Sequence, residues 1–431
     1  MSLRTWLWEA SVAMGLDGLL NSLRGKGGLS SITSKLATSL TPKGSTGLAK
    51  GGLSPIAIDF GAGSLKILQL TGGEPHALAA AASLETPSNL LHDHKRRLEL
   101  QVQALPKLIK QGNFKGKRAV CAIPTWDTVC KHVPVGGVVT KQTIDAAIAQ
   151  HFTDYSTAFA YKSIEAPSEL RGKGDVLVLA SKRDLIHRLM DALVNARLEP
   201  VGMQAEMLCT MQSFDHLRKR EGDLIQNVLF VDLGAWTTKA MITRAGSLVA
   251  ARIIPVGGYH LDELISKQIA STFEDARKAR LATDTTVERR LVVEKHQSTA
   301  SDPADDRRRV DTPPGFSGDV LQQPAVAVGP PGSDLREPLE MLTDDIRLLV
   351  RYFGAQWDGQ RLDRVVFSGG ESRHRGLAQH LAKQLRLPAQ VGDPTARLAR
   401  SGTEATVGVD FSQSQPGWAA ALGLCLAPTD L

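Results

Sequence analysis

Two segments of this chain, DFGAGSLK at 59–66 and DLGAWTTK at 232–239, follow one plan. Each has an apolar run before it (IAI or NVLFV), then Asp-x-Gly, small or hydroxyl residues, a lysine and a second apolar run. An apolar run that stops at such a turn and resumes after it is a β-hairpin. A hairpin unit written twice predicts a duplicated architecture. The 431 residues leave room for it, since single cores stop growing near roughly 250–300 residues. A third turn, FSGGESRHRG at 367–376, ends the strand DRVVFSGG (363–370) and opens a helix at 373–386.

The rest of the body alternates short apolar strands with helices, the grammar of an α/β protein. Helices are expected over about 94–111, 140–152 (capped by Thr140 or Thr143), 182–196, the second part of 199–214, and 336–357. Strands are expected at 118–124, 129–135 and 175–181. Leu16, Leu19, Leu20 and Leu23 have helical spacing and predict a short amphipathic helix near 3–24, either packed on the body or docking elsewhere. A Gly/Ser/Thr-rich linker over 25–54 joins it to the first strand. Residues 284–335 hold Arg307, Arg308 and Arg309 beside aspartates, then several prolines. They offer too little apolar surface to offset ordering entropy and read as a disordered insertion.

Composition excludes several classes. An apolar share of 42 % with 22 % charged residues is ordinary for a globular protein. A net charge of +6 without a concentrated basic face does not predict nucleic-acid binding. Cys121, Cys130, Cys209 and Cys425 form no CxxC pair, which argues against a structural zinc or disulfide framework and fits a reducing cytoplasm. No apolar run reaches the 18 or so residues a membrane-spanning helix needs, and the N-terminal stretch lacks a signal-peptide layout. His92 and His94 flank Asp93 without a second ligand cluster at zinc-type spacing, so both are expected to be exposed.

The three turns share one chemistry: an apolar strand delivers glycines and hydroxyls to a point where backbone N–H groups can approach phosphate oxygens. In this order they resemble the actin-like superfamily, and within 54–426 they resemble PilM-like proteins of type IV pilus machinery. The resemblance extends to Ile123-Pro124 ending a strand, VPV, VLVLAS, ARLEPVGMQAE and the Ala-rich GWAAALGLCL at 417–426. It implies an actin-like, duplicated ribonuclease H-like α/β fold of two lobes with a small inserted subdomain. By it, 54–114 and 176–214 form lobe I, 115–175 is the inserted subdomain and a partner surface, and 215–426 is lobe II.

The resemblance also implies ATP and Mg²⁺. Asp59, Gly61, Gly63 and Ser64 would line the first phosphate hairpin, and Asp232, Gly234, Thr237 and Thr238 the second. Ser368, Gly369, Gly370 and Glu371 would lie against adenosine. Asp59 and Asp232 at strand ends suit the water shell of Mg²⁺, which binds between few carboxylates and the phosphates. Glu206, at the turn before the middle helix, is the candidate for orienting an attacking water, with turnover slow or absent. Two departures stand out. Trp236 replaces a small residue in the second turn, and FEDARKAR (273–280) carries Arg277 and Arg280 where the family has a Glu and a Lys near the nucleoside. Arg280 could then stack on the base or pair with phosphate. Lys66 and Lys239 are expected to be solvated at strand edges, with reach to phosphate as the alternative.

The function so implied is a cytoplasmic ATP-binding scaffold at the inner-membrane face. It would dock the cytoplasmic tail of an inner-membrane pilus or secretion protein and could self-associate into a ring. Two alternatives share the fold: a sugar or small-metabolite kinase, which needs an acceptor pocket, and a filament-forming division protein. The aliphatic character of 118–135 argues against the first, and the short polar APTDL (427–431) against a C-terminal membrane helix for the second.

Overall fold

The computed structural model describes residues 52–135, 139–152, 159–164, 175–218, 226–282 and 328–426. The amphipathic helix near 3–24, its linker as far as 51 and residues 284–327 of the insertion lie outside the described residues.

Lobe I is built from β1 (Ile56–Phe60), β2 (Ser64–Thr71), β3 (Ala77–Glu85), α1 (His94–Gln111) and β4 (Arg118–Ile123). A small unit follows, of β5 (Thr128–Pro134), α2 (Lys141–His151), β6 (Phe159–Ile164) and β7 (Asp175–Lys182). Then come α3 (Arg183–Asn195), β8 (Glu199–Ala205) and α4 (Glu206–Gln212). Lobe II holds β9 (Asn227–Leu233), β10 (Thr238–Arg244), β11 (Ser247–Ile254), α5 (Gly258–Gln268) and α6 (Phe273–Ala282). It continues with α7 (Arg336–Gln356), β12 (Arg364–Ser368), α8 (Arg375–Leu385) and β13 (Ala389–Val391). The chain then returns through β14 (Ala405–Val407) and α9 (Ala419–Leu426).

The duplication written in the hairpins runs through both sheets. One has the order β3-β2-β1-β4-β8 with β14 added beside β3, and the other β11-β10-β9-β12-β13. In each, the first three strands are antiparallel and the remaining pairs parallel. The central strands are buried on both faces, as parallel strands covered by helices must be. Along β1, Ile56, Ile58 and Phe60 pack with α1 and α3, while Ala57 points the other way into the core around α9. This is the period of two expected of a strand. Small residues on that second face, Ala57, Ala81 and Ala122, let α9 sit close. At its tightest point a Cβ on Gly423 would lie 1.7 Å from the carbonyl oxygen of Cys209 in α4.

Three boundaries differ from expectation, the first being that β14 and α9, expected within lobe II at 215–426, add to the sheet and core of lobe I. RAVCAI forms β4, which pairs in parallel with β1 and β8 in the lobe I sheet, whereas VLVLAS belongs to the small sheet β5-β7-β6. The elements of the small sheet thus span Thr128–Lys182, against the 115–175 expected for the inserted unit, because a short apolar run does not reveal which sheet it joins. The end of the expected insertion is packed: Val328 and Leu335 are buried in the lobe II core, and Asp334 exchanges hydrogen bonds with Gln268.

Candidate functional site: a cleft between two hairpins

Each hairpin sets a lysine directly across from its aspartate. The register pairs Asp59 with Lys66 and Asp232 with Lys239. Opposite charges at facing cross-strand positions attract, so the local sequence alone dictates both ion pairs. Lys66 Nζ lies 3.8 Å from Asp59 Oδ2. Lys239 Nζ lies 3.4 Å from Asp232 Oδ2 and 2.6 Å from Oε1 of Glu206, the first residue of α4. Solvation at strand edges therefore does not hold: Lys239 is 4 % exposed, inside the protein between the two lobes.

The hairpin tips meet. A Cβ built on Gly63 would stand 3.2 Å from that of Ala235, so the first turn touches the second. The Gly234 N–H donates to the Thr237 carbonyl at 3.1 Å, and Gln101 of α1 donates to the Gly61 carbonyl at 2.8 Å, holding each turn in shape. Gly369 adopts φ of +89°, where any side chain would also collide with the Leu233 carbonyl at 2.2 Å, so this position requires glycine. Around these turns is a cavity of about 270 Å³.

Asp59, Gly61, Gly63, Ser64, Glu206, Asp232, Gly234, Thr237, Gly369, Gly370 and Glu371 all line that cavity. Thr238, Ser368 and Arg280 do not. Thr238 alternates to the opposite face of β10 and donates to the Val256 carbonyl at 2.8 Å. Ser368 is fully buried beneath the Gly-Gly turn. Arg280 is fully buried in a fork, donating to Asp262 through Nε (2.6 Å) and Nη2 (3.0 Å) and to Glu371 through Nη2 (2.8 Å). It positions Glu371 instead of facing a ligand, and Arg277 lines the cavity in its place. Sequence reasoning also missed Thr125, Trp126 and Gln415, which line the cavity from segments without a recognisable turn motif, and Arg373, which lies within the third turn. For Lys239 a signal existed: its offset from Asp232 equals that of Lys66 from Asp59.

Charge is nearly balanced where the hairpins meet. Burial raises the Asp59 carboxyl to about 6 against the opposing pull of Lys66. Burial also raises Asp232, with Lys239 opposing it and Glu206 adding to it. Burial alone would raise Glu206 too, but the charge and hydrogen bond of Lys239, with two donors from Thr125 at 2.8 Å each, hold it below the usual range. The asymmetry follows from distance, since Lys239 is nearer Glu206 than Asp232. A carboxylate that already accepts from an ammonium and from two Thr125 donors is poorly placed to take a further proton, so the ion pair works against Glu206 as a general base.

Aromatic rings close one side of the cleft. His94 of α1 packs edge-on between Trp126 (5.0 Å between centroids) and Trp236 (4.8 Å), so it is half-buried and not exposed as expected. Burial and the charge of Arg97 lower its pKa to about 4. Trp236 also touches Tyr259 and His260 of α5, so its indole joins the first lobe to the second beside the second turn.

The donor set does not fit Mg²⁺. Among the described residues no group of three or more His, Cys, Asp or Glu side chains could hold a metal. Asp232 and Glu206 already share the Lys239 ammonium. A divalent ion about 4 Å from it would meet roughly twice the ~4 kcal/mol repulsion of two unit charges at that separation. One observation points the other way: Asp59 Oδ1 is buried without a hydrogen-bond partner among the described residues. That lone oxygen could serve an ion held otherwise by phosphates and water, but the place between Asp232 and Glu206 is taken by Lys239.

A duplicated pair of sheets around a cleft, with hairpin tips facing across it, defines an actin-like protein. The solved PilM–PilN type IV pilus biogenesis complex has this fold: 19 % identity, TM-score 0.62, covering 88 % of this chain and 99 % of that one. The sequence matches the pattern of type IV pilus assembly protein PilM over residues 57–293, more than half of its length, and the chain belongs to that family. The pattern of cell division protein FtsA matches over 229–423. A curated FtsA from Rhizobium meliloti (strain 1021) is 24 % identical over 265 residues, 59 % of this chain. The chain spans about half the length of that relative, 52 %. No helix among the described residues is long and apolar enough to cross a membrane.

Proposed function

We propose that this chain is a nucleotide-binding assembly factor of type IV pilus or related secretion machinery. It would dock the cytoplasmic tail of an inner-membrane protein and be held at the cytoplasmic face of that membrane through its partner. The observation that carries the reading is the contact of the two hairpin tips over a polar cavity. The turns Gly61–Ser64 and Gly234–Thr237 would offer backbone N–H groups and the Ser64 and Thr237 hydroxyls to the phosphates of ATP, with Lys66 and Lys239 behind them. Gly370, Glu371 and Arg277 would lie at the nucleoside end. The nucleotide supplies a polyanion; the work of the chain's own residues is to hold it from both lobes at once.

Holding one ligand from two lobes shifts the population toward the closed arrangement. The small unit senses that arrangement directly. His132 of β5 lies 3.2 Å from the Ala251 carbonyl of β11, and Tyr352 of α7 donates to Asp175 of β7 at 2.6 Å. A peptide docked against the small unit would thus be coupled to the cleft. The similarity to a PilM protein solved with PilN supports a partner of this kind, and the ion pair that engages Glu206 supports slow or absent turnover.

The test is co-purification of the full chain with candidate inner-membrane proteins, with and without ATP, beside calorimetry of nucleotide binding. Retention that is nucleotide-dependent is expected. No nucleotide binding at millimolar concentration would remove the reading. The FtsA match over lobe II supports a second reading, a filament former. Nucleotide-dependent filaments on anionic vesicles without a partner tail would favour it, whereas a closed ring in solution would favour the first.

A further inference from the structure

We propose that Lys239 takes the place of a divalent cation in this cleft, so that nucleoside polyphosphate binds without Mg²⁺. The inference rests on the nucleotide reading above and deepens it. A phosphate chain between two aspartates and a glutamate needs positive charge close by, or the carboxylates repel it. A bound cation is one source; a built-in ammonium is another. Here Asp59, Glu206 and Asp232 meet Lys66 and Lys239, and the second lysine sits between two carboxylates, 2.6 Å from one and 3.4 Å from the other.

An ammonium has three N–H donors. One serves Glu206, and Asp232 at 3.4 Å is an ion-pair partner, which leaves donor capacity for a phosphate oxygen in the cavity that Lys239 lines. Lys66 lines the same cavity from the opposite hairpin and is more exposed, 15 % by side chain. The two ammoniums would grip the polyphosphate from both lobes, as a cation bridging two phosphate groups otherwise does. The position is enforced from several directions: the β-hairpin register sets Lys239 against Asp232, and two Thr125 donors fix Glu206.

Titration calorimetry of the full chain with ATP in excess EDTA, repeated in millimolar Mg²⁺, tests this. Affinity in EDTA is expected to stay within threefold of that in Mg²⁺, and Mg²⁺ alone should give no binding signal. A tenfold or greater loss in EDTA overturns the inference and leaves the nucleotide reading intact; no binding in either buffer overturns both. In Lys239→Met, affinity in EDTA should fall at least tenfold and recover on adding Mg²⁺. Unchanged EDTA affinity in that variant would also refute the assignment. If Lys239→Met does not fold, the wild-type comparison decides alone, with Lys66→Gln as a second variant expected to lose affinity equally in both buffers.

Discussion

Arg280 offers the sharpest test of how lobe II is held together. Substituting Arg280→Met keeps length and apolar bulk but removes the only guanidinium that touches both Asp262 and Glu371 at hydrogen-bond distance among the described residues. Both carboxylates are nearly inaccessible, 0 % and 3 % exposed; Glu371 keeps Arg277 at 3.9 Å, but Asp262 loses its forked partner. Breaking a buried pair by removing one member costs about 3–5 kcal/mol. Arg280→Lys should recover only part, because an ammonium cannot make the forked pair with Asp262.

Urea unfolding at pH 7 would read the loss as a fall in midpoint at constant slope. The same experiment at lower pH checks the cause. Without Arg280 the burial that raises Asp262 is opposed only by the weaker pull of Arg277, so protonation becomes easier and the deficit should shrink as pH falls. A triple variant, Arg280→Met with Asp262→Asn and Glu371→Gln, should return most of the stability. If Arg280→Met lies within about 0.5 kcal/mol of wild type while nucleotide affinity collapses, the buried-fork reasoning is wrong and Arg280 faces the ligand after all.

Three further outcomes are expected. His374 caps α8 by accepting the Leu377 N–H at Nδ1, and burial with the nearby charge of Arg280 lowers its pKa to about 4. Its unfolded value near 6.5 is higher, so its contribution is complete above pH 6.5 and is lost as pH falls toward 4. His374→Asn, which caps without titrating there, should flatten that acid loss by up to ~3 kcal/mol in denaturant midpoints measured across the range. Gly423→Ala must push α9 off the Cys209 carbonyl and should cost about 3 kcal/mol or more by thermal unfolding; a silent substitution would refute the close approach. Trp236 lines the cavity, so ATP should change tryptophan emission in the wild type and much less in Trp236→Phe; equal responses would place the reporter elsewhere.

The parts of this protein readable in its sequence are those whose cause is local. Asp59 and Asp232, the glycines beside them and the hairpins they terminate follow from strand, turn and strand within a dozen residues. Residue partners chosen across the fold were not readable. Lys239 finds Glu206 at the start of a helix in the other lobe, and Arg280 finds Asp262 and Glu371 from separate elements. Ser368 and Thr238 belong to true turn motifs, yet the alternation of a strand turns one of two neighbours away from the cleft. Trp236 was legible as an intruder in its turn, but its packing on His94 depends on how the lobes close, and that on Tyr259 on where α5 lies. β14 has three residues and no periodicity, and only its partner strand defines it.

That short strand and α9 carry a consequence for how the protein comes into being. Lobe I begins at Ile56, yet its edge strand lies at Ala405–Val407 and its second core includes Phe411, Trp418 and Leu422. A ribosome delivering the chain in order completes the small unit and most of lobe II while lobe I still has one apolar face open. Domain-by-domain maturation is therefore denied to the first lobe. Its sheet must wait, exposed to water and to chaperones, until the segment from Ala405 to Leu426 emerges and is laid across it.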